Sequence, residues 1–142
     1  MRIVIDTDVM VAAIRSNAGA SQRIVRAALA KRFTMLVSVP LVIEYEAVMS
    51  RTEHLAASRL SKEDVSTLLD AIVAVSEPVR LAFLWRPLLR DPGDDMVLET
   101  AVNGQADLLT TFNRRDFGSQ AMKFGIEICA PGDALAMMEK AR

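Results

Sequence analysis

Apolar residues fill the positions from Ile3 to Ile5 without a break. Two acids follow, Asp6 and Asp8, and then Val9, Ala12 and Ala13 recur at helical spacing. An unbroken β-branched run suits a strand covered on both faces, so RIVID predicts a parallel strand and residues 8–14 a helix. Ser21 is placed to cap a second helix, in which Ile24, Val25, Ala28 and Leu29 form one stripe. FTMLVS (33–38) predicts a second strand, and Pro40 suits the first turn of a helix over residues 41–50. SKED (61–64) resembles a capping box with Asp in place of Glu, opening a helix that carries Val65, Leu68, Leu69 and Ile72. Beyond Pro78 an extended region leads to RDPGDD (90–95), a turn signal, and then to a helix with Val97, Leu98, Ala101 and Val102 inward. DLLTT (107–111) and GIEIC (125–129) predict short strands, and Pro131 opens a last helix. There is no repeat, low-complexity tract or linker. Strands alternating with helices predict one α/β domain over residues 1–142, a sandwich around a mostly parallel sheet.

Composition narrows the class. At 142 residues and 51% apolar the chain can bury a sizeable core, and no apolar run approaches the ~20 residues of a membrane span. The expectation is a cytoplasmic protein without a signal segment. The single cysteine, Cys129, excludes an internal disulfide or a cysteine-based zinc cluster and reads as a small core residue. The single histidine, His54, lies in a polar stretch and is expected on the surface. A net charge of −1 argues neither for nor against a polyanionic ligand.

The candidate chemistry lies in the acids. Asp6 falls just past its strand, on the edge where open parallel sheets bind ligands; capping of the next helix and function are both open readings there. Leu41, Glu44, Tyr45 and Val48 share one helical face, so Glu44 sits on or beside a buried stripe, either as a functional acid or as an arginine's partner. Glu46 points elsewhere. Asp91, Asp94 and Asp95 exceed what one helix N-terminus requires. TTFNRRDF (110–117) reads as a polar loop after a strand and supplies Thr111, Asn113 and Asp116, although Asp116 could pair with Arg114 or Arg115. Acids gathered this closely raise one another's pKa unless a cation sits among them. An all-oxygen set favours Mg²⁺ or Mn²⁺ over zinc, and such a site suits phosphoryl transfer by an activated water.

IVIDTDVMVAA (3–13) resembles the first motif of the PIN-domain nucleases, usually strand–Asp–Thr–Asn–Val. VPLVIEYEAVMSR (39–51) resembles their second motif, and residues 90–117 resemble the third and fourth. The likeness runs to the closing ICAPGDAL (128–135), with bacterial PIN proteins described as toxin components of toxin–antitoxin systems the most similar variety. It implies a three-layer α/β/α sandwich and a metal-dependent ribonuclease. It also implies Mg²⁺ or Mn²⁺ held by Asp6, Glu44, Asp95 and Asp116, with Thr7, Thr111, Asn113, Asp8 and Asp91 in support. The run Asp94–Asp95 leaves the third ligand open by one residue, and Asp8 replaces the usual Asn. Many members dimerise, and toxin members are held inactive by an antitoxin protein. RNA phosphates would be held by Arg15, Arg114 and Arg115, with Arg23, Arg26, Lys31 and Arg32 as further candidates for the rim.

Two rival readings stand beside this one. Strand–Asp–x–Asp also opens the haloacid-dehalogenase-type phosphatases, but Met10 and the lack of a lysine in residues 107–117 depart from their pattern. A catalytically inactive RNA- or protein-binding module is the other, against which stands the retention of all four acids.

Overall fold

The computed structural model describes residues 1–16, 18–82 and 92–140, without the side chains of Pro92 and Ser119. Five strands form one sheet, ordered β3-β2-β1-β4-β5, with every pairing parallel. β1 (Arg2–Ile5) lies at its centre, between β2 (Thr34–Val37) and β4 (Leu108–Thr110); β5 (Glu127–Cys129) and β3 (Glu77–Pro78) are the edges. Ile3, Val4 and Ile5 are fully buried, which is why the apolar run has no polar alternation. Eight helices among the described residues complete a three-layer α/β/α sandwich.

Local chemistry accounts for most helix starts. The Asp6 side chain caps α1 (Thr7–Arg15), and Ser38 caps α3 (Val39–Met49), which carries Pro40 in its first turn. The Ser61–Asp64 capping box is complete at the start of α5 (Lys62–Val75). α6 (Pro92–Asn103) and α8 (Pro131–Lys140) each open on a proline.

Four features depart from the sequence reading. Gly19, with no side-chain bond, takes the N-cap of α2 (Ala20–Leu29), and Ser21 is buried inside that helix, because packing against α1 starts it earlier. A short helix, α4 (Thr52–Ser58), follows α3, with none of its residues fully buried, so it leaves no apolar stripe to read. β3 is only two residues long, yet Val79 N–H extends its pairing to the Val37 carbonyl at 2.7 Å; Pro78 is tolerated because the strand is an edge. Residues 114–123 form α7 (Arg114–Lys123), broken at Gly118 (φ 41°, ψ −137°), where the sequence reading expects a polar loop. Its anchors are Phe117 and Ala121, both fully buried, which a reading of the polar residues alone overlooks.

The order of strands reverses between β1 and β4. Chain connectivity runs outward from β1 to β3 on one side and restarts at β4 on the other, leaving a crevice at their carboxyl ends. Ile5 pairs with Thr110 there, so Asp6 and Thr111 leave the sheet side by side.

Candidate functional site

Asp6 is held from three directions. Its backbone N–H donates to the Thr110 carbonyl at 3.0 Å, its Oδ1 accepts from Thr7 N–H at 2.7 Å, and its Oδ2 accepts from Thr111 Oγ1 at 2.7 Å. The carboxylate is 4% exposed. Burial first, and then the charges of Asp8 and Asp94, push its pKa up to about 7, against the hydrogen bonds from Thr111 and Thr7. Asp8 is pushed up chiefly by burial too. Its Oδ2 accepts from Asn113 Nδ2 at 3.0 Å and Phe112 N–H at 3.2 Å. Thr111 Oγ1 lies 3.4 Å from the same oxygen, but its one proton goes to the shorter contact with Asp6. Thr111 Oγ1 in turn accepts from Asn113 N–H at 2.9 Å. Asp8 Oδ1 is buried without a hydrogen-bond partner among the described residues.

A cavity of about 350 Å³ opens over these groups, and Asp6, Asp8, Glu44 and Asp94 all line it, with Thr7 and Asn113. Glu44 is brought in by α3. The neighbouring Tyr45 is fully buried and donates its hydroxyl to the Ile5 carbonyl, which locks α3 to the last residue of β1 beside Asp6. The start of α3 is tied to α6 as well, since Ser38 Oγ and Thr100 Oγ1 lie 2.7 Å apart in the interior. One helix is thereby pinned to both neighbours that carry acids. Glu44 itself is half-buried, as its position on the Leu41–Tyr45 face implies.

The structure does not gather every acid singled out in the sequence. Asp94 is the half-buried member of its pair and lines the cavity, whereas Asp95 is 3% exposed and does not. Adjacent residues on a helix point about 100° apart, and the seating of α6 turns Asp94 to the cavity and Asp95 inward. Of the two, Asp94 is the one that lines the cavity. Asp116 lies on an exposed residue in the first turn of α7 and does not line the cavity, because α7 turns that position outward while burying Phe117. Arg114 and Arg115 are exposed and do not line it either. Asp91 lies outside the described residues. Arg23, Arg26 and Arg32 belong to a different cleft.

Two residues absent from the sequence reading of the site are present in it. Arg51 and His54, at the start of α4, line the cavity. Arg15 Nη1 lies 3.3 Å from His54 Nδ1. A guanidinium can only donate, so Nδ1 is the acceptor, and Nε2 carries the ring's proton. Arg51 and His54 reach the acids on α4, a helix the sequence reading does not predict, whereas Arg15 comes from the end of α1. Cys129 is buried in the core with its thiol pushed up to about 11 by burial, an inert environment for it.

The donor chemistry fits a hard divalent cation. The cavity offers carboxylate oxygens from four residues, one of them with a buried, unpartnered oxygen, and neither thiolate nor a cluster of imidazoles. Among the described residues no three such groups are already closed to coordinating distance, so the acids share a cavity and not a finished cage.

A sequence model of the PIN domain matches residues 2–115 of the chain. No curated protein and no solved structure gives a match.

Proposed function

The chain belongs to the PIN-domain family, a nuclease fold, and from that premise we propose that it is an endoribonuclease working with Mg²⁺ or Mn²⁺. One observation carries the reading. Asp6, Asp8, Glu44 and Asp94 converge on one cavity at the switch point of the sheet, and a buried oxygen of Asp8 has no partner among the described residues. Carboxylates crowded in this way call for a cation.

Asp6, Glu44 and Asp94 are the residues that would hold the ion, with Asp8 contributing charge and its free oxygen. A divalent cation bound there supplies an activated water as the attacking nucleophile and offsets charge on the phosphate. Thr111 and Thr7 N–H keep the Asp6 carboxylate in one orientation. Asn113 and Phe112 N–H do the same for Asp8. An acidic cavity repels a polyanion, and Arg51 supplies the compensating charge on its wall. His54 offers its Nε2–H to a phosphate oxygen, with Arg15 fixing the tautomer from outside. Attack in line by water leaves a 5′-phosphate and a 3′-hydroxyl. The role of toxin in a toxin–antitoxin pair, in the cytoplasm and under an antitoxin's control, is part of the same proposal. It is supported by the motif resemblance over residues 3–13, 39–51 and 90–117.

The test is RNA cleavage with and without metal. Activity vanishes in EDTA, returns with Mg²⁺ or Mn²⁺, returns poorly with Zn²⁺, and yields 5′-phosphate ends. Undiminished cleavage in chelator, or 2′,3′-cyclic phosphate products, refutes the mechanism.

A further inference from the structure

Between Asp8 and Glu44 the chain carries five basic residues and no acidic one, although the whole protein is net negative. The structure collects three of these cations away from the acidic cavity. Arg23 and Arg26 on α2, with Arg32 beyond its end, line a cleft of about 330 Å³ that also includes Leu135 and Met138 of α8. The two cavities share no lining residue. Arg32 lies just before β2, at the amino ends of the strands, whereas the acids sit at the carboxyl ends. All three arginines are exposed, and among the described residues none forms an ion pair, even though Glu139 lines the same cleft. Three like charges left unneutralised around one hollow are poised for an anion.

We infer that this α2–α8 cleft is a second phosphate-binding site, which grips single-stranded RNA at a distance from the bond being cut. The inference rests on the ribonuclease reading. Guanidinium forks match phosphate oxygens in pairs. Arg23 and Arg26 are three residues apart on one helix, with Cβ atoms about 5–6 Å from each other, so they can engage neighbouring phosphates together. Leu135 and Met138 are core residues that form the floor of the cleft, and the ribonuclease reading makes RNA the polyanion that the arginine rim meets.

The test compares the chain with R23Q/R26Q/R32Q, both in a Glu44→Gln background so that RNA is bound and not cut. Binding of fluorescent polyuridylate is followed by anisotropy across a salt series. Loss of three contacts lowers the salt slope by about 2 and weakens binding at least about tenfold at low salt. With Glu44 restored, the triple variant cleaves an oligonucleotide just long enough to fill the acidic cavity at the normal rate. An unchanged slope and affinity, with cleavage intact, overturns the cleft and leaves the ribonuclease reading standing. Absence of any RNA cleavage by the unmodified protein overturns that reading instead. Polyglutamate bound as tightly as polyuridylate, and lost equally in the variant, assigns the cleft to acidic protein and overturns the RNA assignment. The unmodified chain supplies a check independent of the variant's folding. RNA containing 4-thiouridine crosslinks to peptides of α2 or α8, and crosslinks confined to other segments refute the site.

Discussion

No hydrogen bond or ion pair among the described residues holds the Glu44 carboxylate. It stands half-buried between the fully buried Leu41 and Tyr45 and faces Asp6, Asp8 and Asp94 across the cavity. Glu44→Gln keeps the shape and removes one repelling charge. In EDTA its melting temperature is expected at or above that of the parent, by an amount equivalent to ~1 kcal/mol. RNA cleavage with Mg²⁺ falls at least about 100-fold. A variant that melts well below the parent yet cleaves normally would make Glu44 a structural residue. Asp94 and Asp95 give the complementary contrast. Asp94→Asn strikes a cavity-facing carboxylate, so activity drops by at least about 100-fold with little change in stability. Asp95→Asn alters a group 3% exposed inside the fold, so its effect is on unfolding, at about 1–3 kcal/mol, with the surviving folded enzyme active. Urea titrations and cleavage rates on both proteins separate the two roles.

At the scale of elements, α3 is the part that assembles the site. Ser38 fastens its first turn to α6, and the Tyr45 hydroxyl fastens its middle to the end of β1. Thr100 Oγ1 also donates to the Met96 carbonyl and Ser38 Oγ also accepts from Leu41 N–H, so the Tyr45 bond is the one whose loss strands its partner. Tyr45→Phe retains the buried ring and strands the Ile5 carbonyl, which costs about 1–3 kcal/mol in denaturant unfolding. The carboxylate of Glu44 loses its fixed offset from Asp6, so kcat falls while RNA binding in a metal-free assay is preserved. Full activity in Tyr45→Phe would show that α3 is positioned by apolar packing alone. α4 contributes in a different manner, by carrying Arg51 and His54 to the cavity wall on a helix with almost no core of its own.

Over the whole molecule, the acidic cavity makes stability depend on pH and, under the proposed function, on metal. Asp6 is raised to about 7 in the folded protein, against about 3.9 in an unfolded chain. The folded state thus binds more protons than the unfolded one between these values, and stability falls as pH rises through that window. Without metal the loss from about pH 4 to about pH 7 amounts to as much as about 4 kcal/mol, and it levels off above. Saturating Mg²⁺ favours the ionised acids, so its stabilising effect grows over the same interval. Thermal melts in EDTA and in Mg²⁺ across this range check both signs. A metal-free protein that becomes more stable as pH rises would show that the carboxylates are not crowded as described.

The sequence by itself determined those features whose physics is local. The buried run of β1, Pro40 in the first turn of α3, the Ser61–Asp64 box and the proline opening α8 depend on residues within a few positions of one another, and each is present. The placing of Asp6 past a strand and of Glu44 on a helix's inner face is local in the same sense. Tertiary structure decided whatever depends on the roll or packing of a whole element. Neighbouring Asp94 and Asp95 are equivalent to any pattern, and only the seating of α6 turns one to the cavity and buries the other. Arg114, Arg115 and Asp116 read as loop because the packing of Phe117 and Ala121 that makes them helical comes from distant strands and helices. The cations of residues 15–32 look like one rim along the chain. The path of α2 carries Arg23, Arg26 and Arg32 to a cleft with α8, more than a hundred residues further on, and leaves Arg15 beside His54. Side-chain direction at such positions is set by long-range burial, which no short window of residues contains.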